Sequence, residues 1–209
     1  GRENIHFEAP KPDRMEIEMQ DFINWFNQEN SWDSILKAAI AHLRFITIHP
    51  FDDGNGRIAR AISDMQLSKS DGVNQRFYSM SSQINAEKKS YYTILERTQK
   101  GNLDITNWLK WFLECLKGAI IASNLIIDKV VRKHQFFVNN ASKVTNKRQR
   151  LLLSKLLDGF EGNLTSSKYA KIAKTSPDTA LRDINDLVEK GILLKADSGG
   201  RSTNYLLNF

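Results

Sequence analysis

The residues most able to do chemistry lie in one stretch of twelve, from His49 to Arg60. It reads His-Pro-Phe-Asp-Asp-Gly-Asn-Gly-Arg-Ile-Ala-Arg, and it combines an imidazole, two carboxylates, a glycine pair around an amide, and two guanidiniums. An imidazole has an ordinary pKa of about 6.5, so it can accept a proton near neutral pH. His49 is therefore the candidate general base.

The glycine pair, Gly54 and Gly56, predicts a phosphate-binding loop. Glycines let successive backbone N–H groups turn toward one concavity, and the N-terminus of a following helix faces the same place. Arg57 and Arg60 add planar guanidiniums that bind phosphate oxygens in pairs. Asp53 is the carboxylate best placed to hold Mg2+, because this ion binds one or two carboxylates together with substrate phosphates. These groups together indicate phosphoryl or nucleotidyl transfer.

Two helices are predicted to position this loop. Apolar residues recur at helical spacing from residue 32 to 48, and Pro50 disfavours helical backbone at His49, so the first helix is expected to end there. A second helical pattern begins beside the glycines. The residues predicted to form its buried face are Ile58, Ala61, Ile62 and Met65.

The stretch resembles the signature of the Fic family, His-x-Phe-x-(Asp/Glu)-Gly-Asn-Gly-Arg-x-x-Arg, and matches it at every specified position. The resemblance extends from about residue 5 to 120. It implies a mainly α-helical bundle with a short flap hairpin, which transfers AMP from ATP to a Ser, Thr or Tyr hydroxyl of a target protein with the help of Mg2+. The glycine pair is that of the AMP-transferring members, since the Doc-type kinase branch has Ala and Lys in its place.

By position in the signature, the resemblance implies that His49 activates the target hydroxyl, Phe51 anchors the loop in the core and Asp53 holds Mg2+. The residues that it implies to bind the phosphates are Gly54, Asn55, Gly56, Arg57 and Arg60. Those that it implies to lie near the adenine, on a later helix, are Tyr91, Tyr92 and Gln99. Asp52, at an unspecified position, is expected to be an ordinary surface residue.

Each feature taken singly also has a purely structural explanation. A His before Pro often caps a helix, and Asp-Gly-Asn-Gly is often a turn. Their joint occurrence at the family spacing favours the enzyme. Two alternatives stay open: a DNA-binding regulator that senses nucleotide, and removal of AMP from a modified target by the same residues.

Residues 147–209 are predicted to form a second, small domain after the Fic domain (residues 1–138) and a linker at 139–146. The basic charge is concentrated there, since residues 140–209 carry +5 of the total net charge of +6. Three predicted helices followed by a hairpin resemble a winged helix, whose third helix often enters the DNA major groove. Arg182 and Arg201 are the candidate DNA contacts. Asp183, Asp186 and Glu189 on the same helix would repel phosphate if they faced it, so contact with DNA and contact with protein both stay open.

Composition gives the remaining expectations. A chain of 209 residues with 41% hydrophobic residues can form a proper core, and no apolar run is long enough to span a bilayer. The single cysteine, Cys115, has apolar neighbours and is expected to be buried. With no secretory signal pattern, the expected compartment is the cytoplasm, and a homodimer is kept as an option.

The N-terminus resembles the second half of the family's flap hairpin. Ile5 to Glu8 alternate as an edge strand does, and His6 is expected to be an ordinary strand residue. Many Fic proteins resemble one another in an inhibitory helix, (Ser/Thr)-x-x-x-Glu-(Gly/Asn). The nearest cases here, at residues 29–30 and 161–162, lack the Ser or Thr. We expect a longer parent chain to supply that helix.

Overall fold

A computed structural model of the protein describes residues 10–28, 32–71, 76–144, 146–196 and 203–208. The predicted flap segment, with His6, and the predicted hairpin tip, with Arg201, lie outside these ranges, as do residues 29–31. The chain divides into two compact units, Gly1–Asn124 and Leu125–Phe209. The elements are α1 (Pro12–Asn27), α2 (Ser34–Ile48), α3 (Asn55–Asp71), α4 (Met80–Ala86), α5 (Lys88–Gln99), α6 (Thr106–Asn139), α7 (Lys147–Leu157), α8 (Ser166–Ala173), α9 (Pro177–Glu189), β1 (Leu193–Lys195) and β2 (Tyr205–Leu207).

The mainly α-helical fold that the sequence predicts is confirmed, and the helix before the loop has clear start and stop signals. The Asp33 side chain accepts hydrogen bonds from the backbone N–H groups of Ile35 (2.9 Å) and Leu36 (3.0 Å), as an N-cap does. His49 follows the last helical residue in the left-handed conformation, with φ of 52°, and Pro50 comes next. The predicted end of α2 is therefore confirmed.

Small residues of α2 allow α3 to pack closely against it in the first unit. Ala38, Ala39 and Ala41 are fully buried, and so is Ala59 on α3. Deeper in the core, Trp108 of α6 donates a hydrogen bond from Nε1 to the Ala39 carbonyl oxygen over 2.8 Å. This bond satisfies the polar atom of the bulkiest buried side chain.

The predicted buried face of α3 is partly wrong. Met65 is 59% exposed and Ala61 is also exposed, whereas Ile58 and Ile62 are half-buried against the core. The periodicity of apolar residues misses the polar residues among the buried positions of α3. The buried positions are Asn55, Ala59, Ser63, Gln66 and Leu67.

In the described part of the second unit, the end of α6 is followed by the helices α7 to α9 and then by a two-stranded antiparallel sheet in which Leu193 pairs with Leu207. A further bridge joins Leu164, which precedes α8, to Tyr205. Helix and strand bounds agree with the predicted order of elements, and the identity of this unit as a winged helix stays a prediction. Its core includes Leu152, Leu153, Leu164, Tyr169, Ile184, Leu187 and Leu193.

The division between the units falls inside α6, earlier than the linker that the sequence predicts at 139–146. Helix α6 does end at Asn139 and α7 does begin at Lys147. However, Phe136 and Phe137 near the end of α6 pack against the second core, so this part of α6 belongs to the second unit. Within the described ranges, no helix combines the length and apolar character that a membrane span requires.

Candidate active site

His49 stands at the C-terminal end of α2 with one ring nitrogen already engaged. Its Nδ1 lies 3.2 Å from the Ile46 carbonyl oxygen. Because a carbonyl oxygen only accepts, Nδ1 carries the proton and donates it, which leaves the lone pair on Nε2. The residue is solvent-exposed, so Nε2 is open to an incoming group. This tautomer is the one that a general base needs.

Gly54 gives the loop a backbone conformation that other residues rarely adopt, with φ of +90°. The Asp53 side chain accepts from the Gly54 N–H at 2.7 Å through Oδ1, and its Oδ2 accepts from Arg57 Nη2 at 3.0 Å. Both Asp53 and Arg57 are largely exposed. The loop thus presents a carboxylate and a guanidinium together at the N-terminal end of α3.

Asn55 stabilises the loop through hydrogen bonds of both its amide oxygen and its amide nitrogen. Its Oδ1 accepts from the Phe51 N–H at 3.1 Å, and its Nδ2 donates to the Phe51 carbonyl oxygen. Asn55 is only 2% exposed. Its side chain is therefore used within the protein, and the backbone N–H of Asn55 in the first helical turn is what it can offer to a phosphate.

Phe51 is not the core anchor that the family resemblance implies. Its ring is 49% exposed and contacts Phe45, with the two ring centroids 6.4 Å apart. The Asn55 amide, which is hydrogen-bonded to the Phe51 backbone rather than to its side chain, fixes the loop instead. The expectation of a buried Phe51 is corrected accordingly.

Arg60 lies where the absence of a side chain at Gly56 leaves room. A β-carbon at Gly56 would come within 3.4 Å of Arg60 Nη1, closer than most such contacts. Arg60 also lines a cleft with the two predicted adenine-site tyrosines, Tyr91 and Tyr92. The remaining lining residues of the cleft are Ser81, Ile84, Asn85 and Lys88.

The two tyrosines differ in environment. Tyr91 is 3% exposed and Tyr92 is 57% exposed, and their ring centroids are 5.2 Å apart in an edge-on arrangement. Tyr92 also lines a neighbouring cavity, and Gln99 lines the same one. Gln99 donates from Nε2 to Thr47 Oγ1 over 3.1 Å, two residues before His49. The structure thus brings Arg60, Tyr91 and Tyr92 together, and places Gln99 beside Tyr92.

The fit of the loop to Mg2+ depends on the donors that it offers. Among the described residues, no three His, Cys, Asp or Glu side chains cluster as a metal cage. Asp53 is instead an exposed carboxylate beside the Gly54 N–H, which suits an ion that completes its shell with phosphate oxygens and water. The donor set fits Mg2+ carried by a nucleotide.

The structure reveals one buried residue near the site that the sequence reading missed. His42 is fully buried on α2, seven residues before His49, with both ring nitrogens in hydrogen-bonding contact. Burial first, and the nearby Arg60 charge second, lower the pKa of His42 from 6.5 to about 3. The signal in the sequence was a lone histidine between apolar residues, Ala41 and Leu43, of a mostly apolar helix.

The described residues include one of the two candidate DNA contacts of the second unit. Arg182 is exposed on α9, and Arg201 lies outside the described residues. Asp183 faces inward, where its carboxylate accepts from Arg148 Nε (2.8 Å), Asn146 Nδ2 (2.8 Å) and the Tyr169 hydroxyl (2.8 Å). Asp183 therefore does not face a phosphate, which was the condition for the predicted repulsion.

Asp186 is engaged as well. It accepts from Lys190 Nζ at 2.7 Å and from Gln149 Nε2 at 2.7 Å. The hydrogen bond from Lys190, and next the one from Gln149, lower the pKa of Asp186. Asp183 and Asp186 thus have partners within the protein, whereas Glu189, the third carboxylate that argued against phosphate binding, is exposed.

Comparison with known proteins shows which family the chain resembles. Residues 1–67 match the model of the Fic/DOC family. The chain is 36% identical over 66 residues to protein adenylyltransferase fic-1 of Caenorhabditis elegans, which covers 31% of this chain and 13% of that protein. It is 32% identical over 113 residues to protein adenylyltransferase Fic of Drosophila mojavensis, covering 53% of this chain and 21% of that protein.

A solved structure supports the fold over nearly the whole chain. A Fic family protein from Desulfovibrio desulfuricans G20 superposes with a TM-score of 0.50 at 21% identity, covering 96% of this chain and 57% of that one. The N-terminal part of the chain, which carries the loop and both arginines, is similar to the Fic/DOC family. The chain spans about a fifth or less of the length of the curated relatives named above.

Proposed function

We propose that this protein transfers AMP from ATP to a hydroxyl side chain of a target protein. The observation that carries the proposal is the tautomer of His49, with Nδ1 bound to the Ile46 carbonyl oxygen and Nε2 free beside a glycine and arginine phosphate loop. The names of the two relatives, both protein adenylyltransferases, support the same activity.

In the proposed reaction, the hydroxyl oxygen of a target Ser, Thr or Tyr attacks the α-phosphorus of ATP. A new oxygen–phosphorus bond forms, and the bond from the α-phosphorus to the bridging oxygen breaks, so that pyrophosphate leaves. His49 Nε2 takes the hydroxyl proton. Arg57 and Arg60 bind the outer phosphates and stabilise the charge that builds up on the leaving pyrophosphate.

The backbone groups and the metal have separate tasks. First-turn N–H groups of α3 have no partner within the helix and can donate to phosphate oxygens. Asp53 would hold Mg2+, which neutralises phosphate charge when it is bound. Tyr92, exposed at the mouth of the cleft that Arg60 lines, offers an aromatic face on which a base could stack.

The test is a comparison of two labels. The protein is incubated with candidate target proteins, Mg2+, and ATP labelled at either the α- or the γ-phosphate. The proposal predicts that only the α-label becomes attached to protein, at a Ser, Thr or Tyr that mass spectrometry locates. Attachment of the γ-label would instead indicate phosphoryl transfer, and label from neither position would contradict both reactions.

The reverse reaction needs its own assay. A target that already carries AMP on a hydroxyl is incubated with the protein, and release of AMP is measured. Removal of AMP without any addition in the labelling assay would establish the alternative direction for the same residues.

A second candidate function concerns the second unit, for which we propose contact with DNA. The observation that favours it is that Asp183 and Asp186 are occupied by partners within the protein, while Arg182 and Asn185 are exposed on α9. Arginine and asparagine are the side chains that bind guanine and adenine edges in pairs. Lys171 and Lys174, exposed just before α9, would meet phosphates.

Salt dependence distinguishes DNA from protein contact. Affinity for duplex DNA should fall linearly in a log–log plot against salt concentration, and the change Arg182→Ala should flatten the slope by about one unit. Arg201→Ala should do the same if that residue also meets a phosphate. Arg14→Ala, which removes one charge from the first unit, is the control and should leave the slope unchanged. Absence of duplex binding at low salt would favour a protein partner.

A further inference from the structure

A chain of hydrogen bonds beneath the nucleotide cleft connects three helices through His42. Its Nδ1 lies 3.0 Å from Ser63 Oγ on α3, and its Nε2 lies 3.1 Å from the Tyr91 hydroxyl on α5. The imidazole is fully buried and packs against Trp108, with ring centroids 5.4 Å apart. None of the roles assigned above to the loop uses this residue.

Carbonyl oxygens fix the direction of every bond in the chain. Ser63 Oγ lies 3.0 Å from the Ala59 carbonyl oxygen and 3.4 Å from that of Ala38, and both oxygens only accept. The Ser63 proton is therefore committed to a carbonyl, and Ser63 Oγ accepts from Nδ1–H of His42. The lone pair of His42 is then on Nε2, where it accepts from the Tyr91 hydroxyl. The ring is neutral, in agreement with its lowered pKa.

The chain ends at the walls of the cleft. Tyr91 donates its hydroxyl proton to His42, so only its ring is presented to the cleft that Arg60 and Tyr92 also line. Ser63 is one helical turn after Arg60 on α3, so the same imidazole also bonds the helix that carries this guanidinium. One neutral ring thus sets the separation between Arg60 and Tyr91.

We propose that His42 is a positioning residue, whose Nδ1-protonated imidazole holds Ser63 on α3 and Tyr91 on α5 at the spacing that a nucleotide needs. This inference rests on the proposed function for the nature of the ligand. It does not place His42 in contact with substrate. Its role is to act through Tyr91 and through the helix that carries Arg60.

The tautomer gives a test that needs no activity. Nitrogen-15 NMR of the imidazoles in the wild-type protein should show one histidine that stays neutral down to pH 5, with a protonated Nδ1 and an unprotonated Nε2. The chain has four histidines, and the spectrum of His42→Gln identifies the signal by its loss. A buried His42 with the proton on Nε2 would overturn the proposal whether or not the protein transfers AMP.

Nucleotide binding separates positioning from general stability. His42→Gln and Tyr91→Phe should each weaken binding of a non-hydrolysable ATP analogue by about tenfold, as loss of one buried hydrogen bond allows. In the transfer assay, the KM for ATP should rise while kcat changes little. The double variant should be about as weak as His42→Gln alone, because that change already removes the bond that Tyr91→Phe removes.

Ser123→Ala is the matched control. Ser123 is also buried, its hydroxyl donates to the Phe77 carbonyl oxygen in the first unit, and neither residue lines the cleft. The Ser123→Ala variant should have a lower Tm and an unchanged affinity for the ATP analogue. If His42→Gln lowers the Tm as Ser123→Ala does and leaves the affinity unchanged, the role of His42 is purely structural and the proposal fails. A wild-type protein that does not bind the analogue would contradict the proposed function, and the tautomer would still decide the placement of His42.

Discussion

The Asp53 carboxylate and the Arg57 guanidinium are hydrogen-bonded to each other at 3.0 Å across the first turn of α3. One is the predicted Mg2+ ligand and the other a predicted phosphate clamp, so the two candidate ligand-binding groups pair with each other here. Exposed ion pairs of this kind are weak. A nucleotide carrying Mg2+ can therefore separate them and bind each group with its own opposite charge.

Asp53→Ala should remove the dependence of ATP binding on Mg2+. In the wild type, calorimetry should show tighter ATP binding with Mg2+ than with EDTA, because Asp53 supplies a carboxylate to the ion. The variant should bind equally in both buffers. Asp52→Ala is the control, since Asp52 is also exposed in the loop, and it should keep the wild-type difference. A Mg2+ effect that survives in Asp53→Ala would remove Asp53 as the ligand.

Arg60→Ala should weaken ATP binding and slow transfer. The guanidinium lies beside Gly56 at the N-terminal end of α3, where its loss takes a charge-assisted bond from a preorganised phosphate site. We expect a loss of about 1.5–3 kcal/mol, or roughly 10- to 150-fold in affinity.

Arg97→Ala is the charge-matched comparison for Arg60→Ala. Arg97 is exposed on α5 and lines a different groove with Trp111. The Arg97→Ala variant should bind ATP with the affinity of the wild type. Similar losses in the two variants would mean that net charge, and not the position of Arg60, determines the affinity.

Asn55→Ala should loosen the loop and destabilise the protein. The buried amide both donates to and accepts from the Phe51 backbone, so the change leaves a carbonyl and an N–H without their partner. We expect the free energy of unfolding to fall by about 1–3 kcal/mol. Hydrogen exchange at the Phe51 amide should speed up, and an unchanged rate would show that Asn55 does not hold the loop.

The sequence predicted the features that follow from local rules. The end of α2 at His49, before Pro50, and the glycine loop at residues 54–56 each depend on the backbone of a few adjacent residues. The burial of Cys115 was also predicted, and the structure confirms it; burial raises the pKa of its thiol to about 12.

What the sequence missed depends on contacts between distant segments. The buried positions of α3 include Ser63 and Gln66, and a rule that counts apolar residues puts Met65 there instead. The bond between His42 and Tyr91 joins residues 49 positions apart. Such pairings require the packing of helices, which periodicity does not give.

The stability of the protein should depend on pH through His42. Its pKa is about 3 in the folded protein and about 6.5 when unfolded, so between these values only the unfolded chain binds the proton. The contribution of His42 to the free energy of unfolding is complete above pH 6.5. It declines as the pH falls toward 3, by up to about 1.4 kcal/mol per pH unit. Denaturant unfolding at pH 7.5, 6.0 and 5.0 should show a steeper decline in the wild type than in His42→Gln, and parallel declines would contradict the buried neutral ring.

The most direct measurement of the central claim is α-label transfer by His49→Ala. The base acts on the target hydroxyl and not on the phosphates, so the variant should bind ATP with wild-type affinity and lose roughly 100- to 10,000-fold in transfer rate. His134→Ala, which removes an exposed histidine from α6, is the control and should transfer normally. Near wild-type labelling of a target by His49→Ala would contradict the assignment of His49 as the base.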